Sequence, residues 1–290
     1  MTQLWIWRGF RIQVPGDWEM LQFSRDTQVG RCAFADRCQF RLELNWRVVA
    51  GPPDFDRMMS DYQARLLELG MKNVRHANHC PWRGIEGEGQ EGLSTRFGRH
   101  FPGAACLTEL VFLWRDGRDP ALERDVLDSV AEEPPHGSGA KRWRAFGMDL
   151  LASEGLALTR CTVEPAHAEM VFTDKAGRRE ERFARRGLVS EWLRGPVRDW
   201  LRSRAPREVS AVSAEARHVG GHCVETIRGE MRARGLAGAL GRRTRYEAEA
   251  WICPGDGRLY AAFRTRSAAE VGVGGRLACC ASMAKAGGLS

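Results

Sequence analysis

Phe10-Arg11-Ile12-Gln13-Val14 alternates apolar and polar residues, the period-two pattern of a strand with one buried face. Pro15-Gly16-Asp17 supplies turn chemistry, and Trp18 leads into a second strand over 20–23. Residues 30–34 and 40–46 read as a hairpin turning near Asp36-Arg37, with Phe40, Leu42, Leu44 and Trp46 on one face. A helix follows. Asp54 is placed to cap it, Phe55, Met58, Met59, Tyr62, Leu66 and Leu69 form a stripe expected to pack on the sheet, and Gly70 offers the stop. Further strands are expected at 73–76, 81–88 and 105–114, then a helix opening at Asp119-Pro120 with Leu122, Val126, Leu127 and Val130 facing inward. Strands linked by tight turns predict an α+β fold, a mainly antiparallel sheet covered by helices.

The pattern is written twice. Trp7-Arg8-Gly9-Phe10 returns as Trp143-Arg144-Ala145-Phe146, Ile85-Glu86-Gly87-Glu88 as Ile227-Arg228-Gly229-Glu230, and Asp116-Gly117-Arg118 as Asp256-Gly257-Arg258. Echoes in constant order predict a tandem duplication, with Phe10 over Phe146 and the Met58 helix over the Trp192 helix. The first copy is expected at 1–133, a Pro/Gly linker at 134–140 and the second copy at 141–290. In the second copy Leu188, Val189, Trp192, Leu193, Val197, Trp200 and Leu201 give a helix that Gly195-Pro196 should interrupt. The stretch 178–186 shows no alternation and is expected to be exposed. A last helix is signalled by Ser267 and Glu270 as a capping box, but Gly272, Gly274 and Gly275 should shorten it or delay it past Gly275.

Charge divides unevenly between the copies. Residues 1–139 hold 17 Lys+Arg against 20 Asp+Glu, and residues 140–290 hold 27 against 17, so the excess positive charge lies in the second copy. That asymmetry raises nucleic acid as an alternative partner, through Arg178, Arg179, Arg182, Arg185 and Arg186 and then Arg232, Arg234, Arg242, Arg243 and Arg245. Arginine fills 40 of the 44 basic positions, however, which is equally the mark of a chain-wide compositional bias over a solvated surface. No stretch approaches the roughly 20 apolar residues of a membrane span, and the N-terminal residues lack the features of a signal peptide, so the chain reads as cytoplasmic. Nine scattered cysteines with no CxxC pair then read mostly as small buried hydrophobes.

The order of an apolar strand, Pro15-Gly16-Asp17-Trp18, two strands, the strand ending at Trp46, a helix, more strands and a closing helix ending near Val130 is similar to the PsbP-like family. That group includes PsbP, the Ran-binding Mog proteins and bacterial DcrB-type proteins. The second copy departs from it with Ala152-Ser153-Glu154-Gly155 in place of the Pro-Gly-Asp-Trp turn. The resemblance implies a non-enzymatic adaptor or chaperone-like role with another protein as partner, and carries over no catalytic residue.

Two clusters could ligate a metal: His76, His79 and Cys80, and His218, His222 and Cys223. Adjacent His and Cys on a strand point to opposite faces, and Asn78 and Gly221 suit hairpin bends, so the segments are expected to be turns with diverging side chains and no metal or other cofactor. A metal-dependent or cysteine enzyme is the third reading. It lacks a nucleophile elbow or a glycine-rich strand-to-helix turn, and no Walker-type phosphate loop is present.

Overall fold

Arg8 and Gly9 both take the left-handed conformation (φ 54° and 81°), which gives a two-residue turn whose twist matches that of the strands it joins. It links β1 (Thr2–Trp7) to β2 (Phe10–Pro15), with Trp7 opposite Phe10. The computed structural model describes residues 1–137, 139–232, 243–267 and 274–287. The chain divides into two units, Met1–Glu133 and Pro134–Ser290.

In the first unit β3 (Glu19–Phe23), β4 (Val29–Ala35) and β5 (Phe40–Val48) run by tight turns. Helix α1 (Phe55–Glu68) then crosses the sheet to its far edge. From there β6 (Lys72–His76), β7 (Arg83–Gly89), β8 (Gly92–Phe101) and β9 (Cys106–Trp114) return as a meander until β9 pairs with β5. The seven strands lie in the order β3-β4-β5-β9-β8-β7-β6, all neighbours antiparallel. Helix α2 (Pro120–Ser129), capped by Asp119, leads to the short β10 (Ala131–Glu132), which joins β2 to give the order β10-β2-β1. The unit's core includes Trp5 against Phe34, Phe10 against Phe101, and Val126 and Leu127 of α2.

The opposite, α1-covered face is packed differently from expectation. Of the predicted stripe only Leu66 is buried (2% exposed), while Met58 is 40% and Leu69 71% exposed. The reason lies in the sheet beneath, which presents the polar Asn45, Arg96 and Glu109 to the helix beside Ile85 and Leu107.

The second unit repeats this strand order. β11 (Lys141–Ala145) and β12 (Met148–Ala152) form the hairpin, followed by β13 (Ala157–Glu164), β14 (His167–Thr173) and β15 (Glu180–Arg186). Two short helices, α3 (Val189–Trp192) and α4 (Val197–Arg204), are separated at Gly195-Pro196 as expected. They precede β16 (Ser210–Val219), β17 (His222–Arg232), β18 (Arg243–Ile252) and β19 (Leu259–Ser267), giving the order β13-β14-β15-β19-β18-β17-β16. β20 (Arg276–Ala278) pairs with β12, and α5 (Ala281–Gly287) follows it, after Gly275. Glu270 and Gly272 of the anticipated last helix lie outside the described residues. With 53% strand against 16% helix, the architecture is mainly antiparallel β, more strand-rich than a balanced α+β reading implies.

Several details of the sequence alignment shift. The second hairpin turns at Phe146-Gly147 (φ 53° and 71°), so Gly9 corresponds to Gly147 and Phe10 to Met148; Phe146 is a turn residue. Slipping by two residues preserves alternation, which is why the sequence echo misleads. Asp116-Gly117-Arg118 follows β9, whereas Asp256-Gly257-Arg258 joins β18 to β19, so that echo matches different turns. Ser153 to Leu156 makes the same bend as Pro15 to Trp18: Leu156 N–H donates to Ser153 O at 3.3 Å and Trp18 N–H to Pro15 O at 3.1 Å. Finally, β15 is no exposed segment. It lies between β14 and β19, with Glu181, Phe183 and Ala184 buried and its arginines half-buried.

Candidate metal centre

Three separate segments of the second unit bring His222, Cys253, Cys279 and Cys280 together. His222 opens β17 directly after Gly220-Gly221, a turn with φ of 53° and 81°. Glycine is required at 220 for a second reason, since a Cβ there would lie 2.7 Å from the Ser282 carbonyl oxygen. Cys253 starts the turn after β18, closed by its N–H donating to Arg258 O at 2.9 Å. Cys279 and Cys280 leave β20 as it separates from β12.

The donor atoms all lie within 4.8 Å of one another. His222 Nε2 is 3.4 Å from Cys253 Sγ, 3.2 Å from Cys279 Sγ and 3.6 Å from Cys280 Sγ, and the last two sulfurs are 3.7 Å apart. A tetrahedral ion with Zn–S about 2.3 Å and Zn–N about 2.0–2.1 Å requires N···S edges of about 3.6 Å and S···S edges of about 3.8 Å. The three N···S distances and the Cys279–Cys280 distance are therefore within about 0.4 Å of zinc tetrahedron edges. His222 Nδ1 lies 2.9 Å from Gly220 O, so an Nδ1–H donated there leaves the Nε2 lone pair facing the sulfurs. Trp251 Nε1–H donates to Cys279 Sγ at 3.3 Å, which favours a thiolate.

The two adjacent thiols sit in different surroundings. Burial pushes the Cys279 thiol well up, with Cys253 and Cys280 beside it adding to the rise. Burial also acts to raise Cys280, but hydrogen bonds from the Ser282 hydroxyl and the Ser282 and Met283 amides bring it below the ordinary thiol value. The Cys280 sulfur lies 3.1 Å from Ser282 Oγ.

The corresponding corner of the first unit is closed by other chemistry. Aligning the large sheets on Ile85 and Ile227 puts Phe101 where Cys253 stands, and aligning the hairpins puts Glu132 where Cys279 stands. There Phe101 packs against Phe10 and Trp82, and Glu132 Oε1 accepts the Ala104 N–H at 2.6 Å. Aromatic packing and a carboxylate cap in one unit thus occupy the place of one imidazole and three thiols in the other.

Of the six residues considered for metal binding from sequence, only His222 enters this cluster. His76 is exposed on β6 opposite Ile85, His79 sits at the bend before β7 with Nε2 2.6 Å from Asp128 Oδ1, and Cys80 is exposed. His218 and Cys223 are an exposed cross-strand pair, and Cys223 diverges from buried His222 as alternation requires. Three further ligands nevertheless lie within reach of His222, contrary to expectation. Cys38, Cys80 and Cys223 are exposed, so burial is not the general fate of the cysteines.

The basic residues are dispersed in role. Arg182 stacks over Phe263 at 4.1 Å and Arg186 over Trp192 at 5.9 Å, covering the helix-side core, and Arg185 packs beside Gly147 on the other face. Arg178 and Arg179 form a turn around Asp174, Arg243 pairs with Glu230 at 3.0 Å, and Arg245 is exposed. Arg234 and Arg242 lie outside the described residues. Among the described residues no helix is long and apolar enough to cross a membrane. No protein-family model matches the chain, and no curated protein matches it.

Proposed function

We propose that this chain is a non-catalytic binding protein of two PsbP-like units, the second of which is held by a Zn²⁺ ion at His222, Cys253, Cys279 and Cys280. The observation that carries the metal reading is the set of four donors within 4.8 Å, three sulfurs and one imidazole nitrogen. Thiolate-rich sets select zinc over magnesium or calcium, which prefer oxygen. Four protein ligands fill the tetrahedron, and catalytic zinc sites keep one position for water or substrate, so the chemistry favours a structural ion. The strand, crossing-helix and closing-strand order shared by both units supports duplication of one fold, and the layout's likeness to PsbP-like proteins supports an adaptor that engages another protein.

Purified full-length protein should carry one zinc per chain by elemental analysis, falling to background in His222→Ala and Cys279→Ser. His76→Ala and His218→Ala should retain it. Metal-free protein with unchanged folding, or zinc that survives loss of His222, would overturn the assignment.

The alternative partner, nucleic acid, separates by salt. Binding through about six phosphate contacts would weaken on the order of 10³-fold between about 50 and 200 mM salt. With Arg182 and Arg186 engaged on aromatic rings, we expect only weak association at the higher salt. Submicromolar binding there, lost on reversing Arg178, Arg179, Arg243 and Arg245, would instead favour the nucleic-acid reading.

A further inference from the structure

The same sheet face is finished in opposite ways in the two units. In the second, Ala248, Ala250, Ala261 and Ala184 make a flat apolar floor, and Trp192, Val197, Trp200 and Leu201 pack onto that core. The strand pairings put Arg96, Gly98, Glu109 and Asn45 at those four positions in the first unit. Helix α1 buries only Leu66, and a cleft of about 840 Å³ opens between it and the sheet. That volume lies within the range of about 300–1,000 Å³ typical of small-molecule sites.

The lining combines an apolar wall with an arginine-rich edge. Phe55, Met58, Met59 and Leu107 supply the apolar surface. Arg31, Arg47, Arg65, Arg83 and Arg96 supply five positive charges against the carboxylates of Asp61 and Glu109. Such an excess is notable in a unit that is net acidic. Glu109 accepts from Asn45 Nδ2 at 3.0 Å, and Arg31 lies 3.6 Å from Glu43. Arg47, Arg65 and Arg83 have no side-chain ion pair or hydrogen bond among the described residues. Arg96 donates through Nη1 to the Tyr62 hydroxyl and lies over the Tyr62 ring at 5.6 Å, yet its Nε is buried with no partner. A buried guanidinium N–H without an acceptor is costly unless something supplies one.

We propose that this cleft binds a small amphipathic anion, a carboxylate on an acyl or aryl chain, with the carboxylate on Arg96 and the chain along Phe55, Met58 and Met59. Its volume suits one chain, and guanidinium pairs a carboxylate through two parallel hydrogen bonds. The proposal is independent of the metal centre, which lies in the other unit.

The test is calorimetry on the full-length, zinc-replete chain with dodecanoate as probe, and with acetate and dodecyltrimethylammonium as head-only and cationic controls. Dodecanoate should bind once per chain and both controls should fail. Arg96→Met should weaken it at least about tenfold, the equivalent of one charge-assisted hydrogen bond. Gly98→Leu provides a variant that leaves every arginine in place. A Cβ at 98 meets Phe55 Cε1 at an ordinary 3.5 Å, so the side chain enters the cleft without a backbone clash and should abolish binding while the melting temperature holds. Dodecanoate presented in phosphatidylcholine vesicles separates a free anion from a membrane-held one, with extraction from the vesicle expected. Equal affinity for the cationic amphiphile, undiminished binding by Gly98→Leu, or binding of an acidic apolar peptide but not dodecanoate would each overturn the proposal. Zinc content, measured on the same samples, tests the metal centre separately, so failure here is distinguishable from failure of the metal reading.

Discussion

Raising free zinc from a chelator-buffered background to a thousand times the dissociation constant should stabilise the wild-type protein by about 4 kcal/mol, from the linkage of binding to folding. His222→Ala should gain nothing from the same change. The magnitude follows from how the donors are assembled. His222, Cys253 and the Cys279-Cys280 pair come from three segments that are adjacent only when β17, β18 and β20 are in place, so the unfolded chain offers no preformed site. Chemical unfolding at buffered zinc, followed by tryptophan fluorescence, reads the effect directly, because Trp251 donates to the Cys279 sulfur. A wild-type midpoint that ignores zinc would contradict the expected linkage.

Arg264→Met should cost about 3–5 kcal/mol, the usual effect of removing one partner of a buried ion pair. Arg264 is 5% exposed, donates to Gly275 O at 2.6 Å and lies 3.0 Å from Glu249 and 3.2 Å from Glu247. Methionine fills most of the volume but leaves a buried carbonyl and a carboxylate, itself 9% exposed, with Arg217 as its remaining counterion among the described residues. The pH dependence follows. Burial acts to raise the Glu249 carboxyl, but Arg264 and Arg217 outweigh it and hold the group below its ordinary 4.5. A depressed carboxylate contributes stability that is fully present above the unfolded value and lost as pH falls through the folded one. The gap between wild type and Arg264→Met should therefore be widest near neutrality and narrow below pH 4.5. Urea midpoints at the two pH values measure it, and a gap that grows in acid would refute the assignment.

Local pattern carried most of the strand content. Alternation from Phe10 to Val14 marks β2, and Gly195-Pro196 marks the break between α3 and α4, because each feature acts within a few residues. Register was less legible. Trp7 and Trp143 look equivalent in sequence, but a two-residue slip keeps every side chain on its face, and only the left-handed Gly9 and Gly147 fix the true match. Burial of Glu180–Arg186 was hidden for a related reason. Arg182 and Arg186 read as solvent-facing, yet their guanidinium planes roof aromatic rings, a use of arginine that polarity alone does not reveal. The four candidate donors lie beyond local reading altogether. His222 looks like a partner for its neighbour Cys223, whereas the sulfurs it meets are carried by a turn and a closing strand far along the chain. The adjacent Cys279-Cys280 pair was the one available hint.

In each unit the second strand of the opening hairpin meets its outer neighbour only at the far end of that unit, Arg11 with Ala131 and Asp149 with Ala278. On a ribosome delivering about 5–20 residues per second, Arg11 is made on the order of ten seconds before Ala131. During that interval the hairpin's outer edge stands open, a template for another chain's strand. The thiols obey the same clock, since His222 and Cys253 are delivered before Cys279. A nascent chain stalled short of β20 would hold His222 and Cys253 without Cys279 and Cys280, and an outer edge of β12 still open.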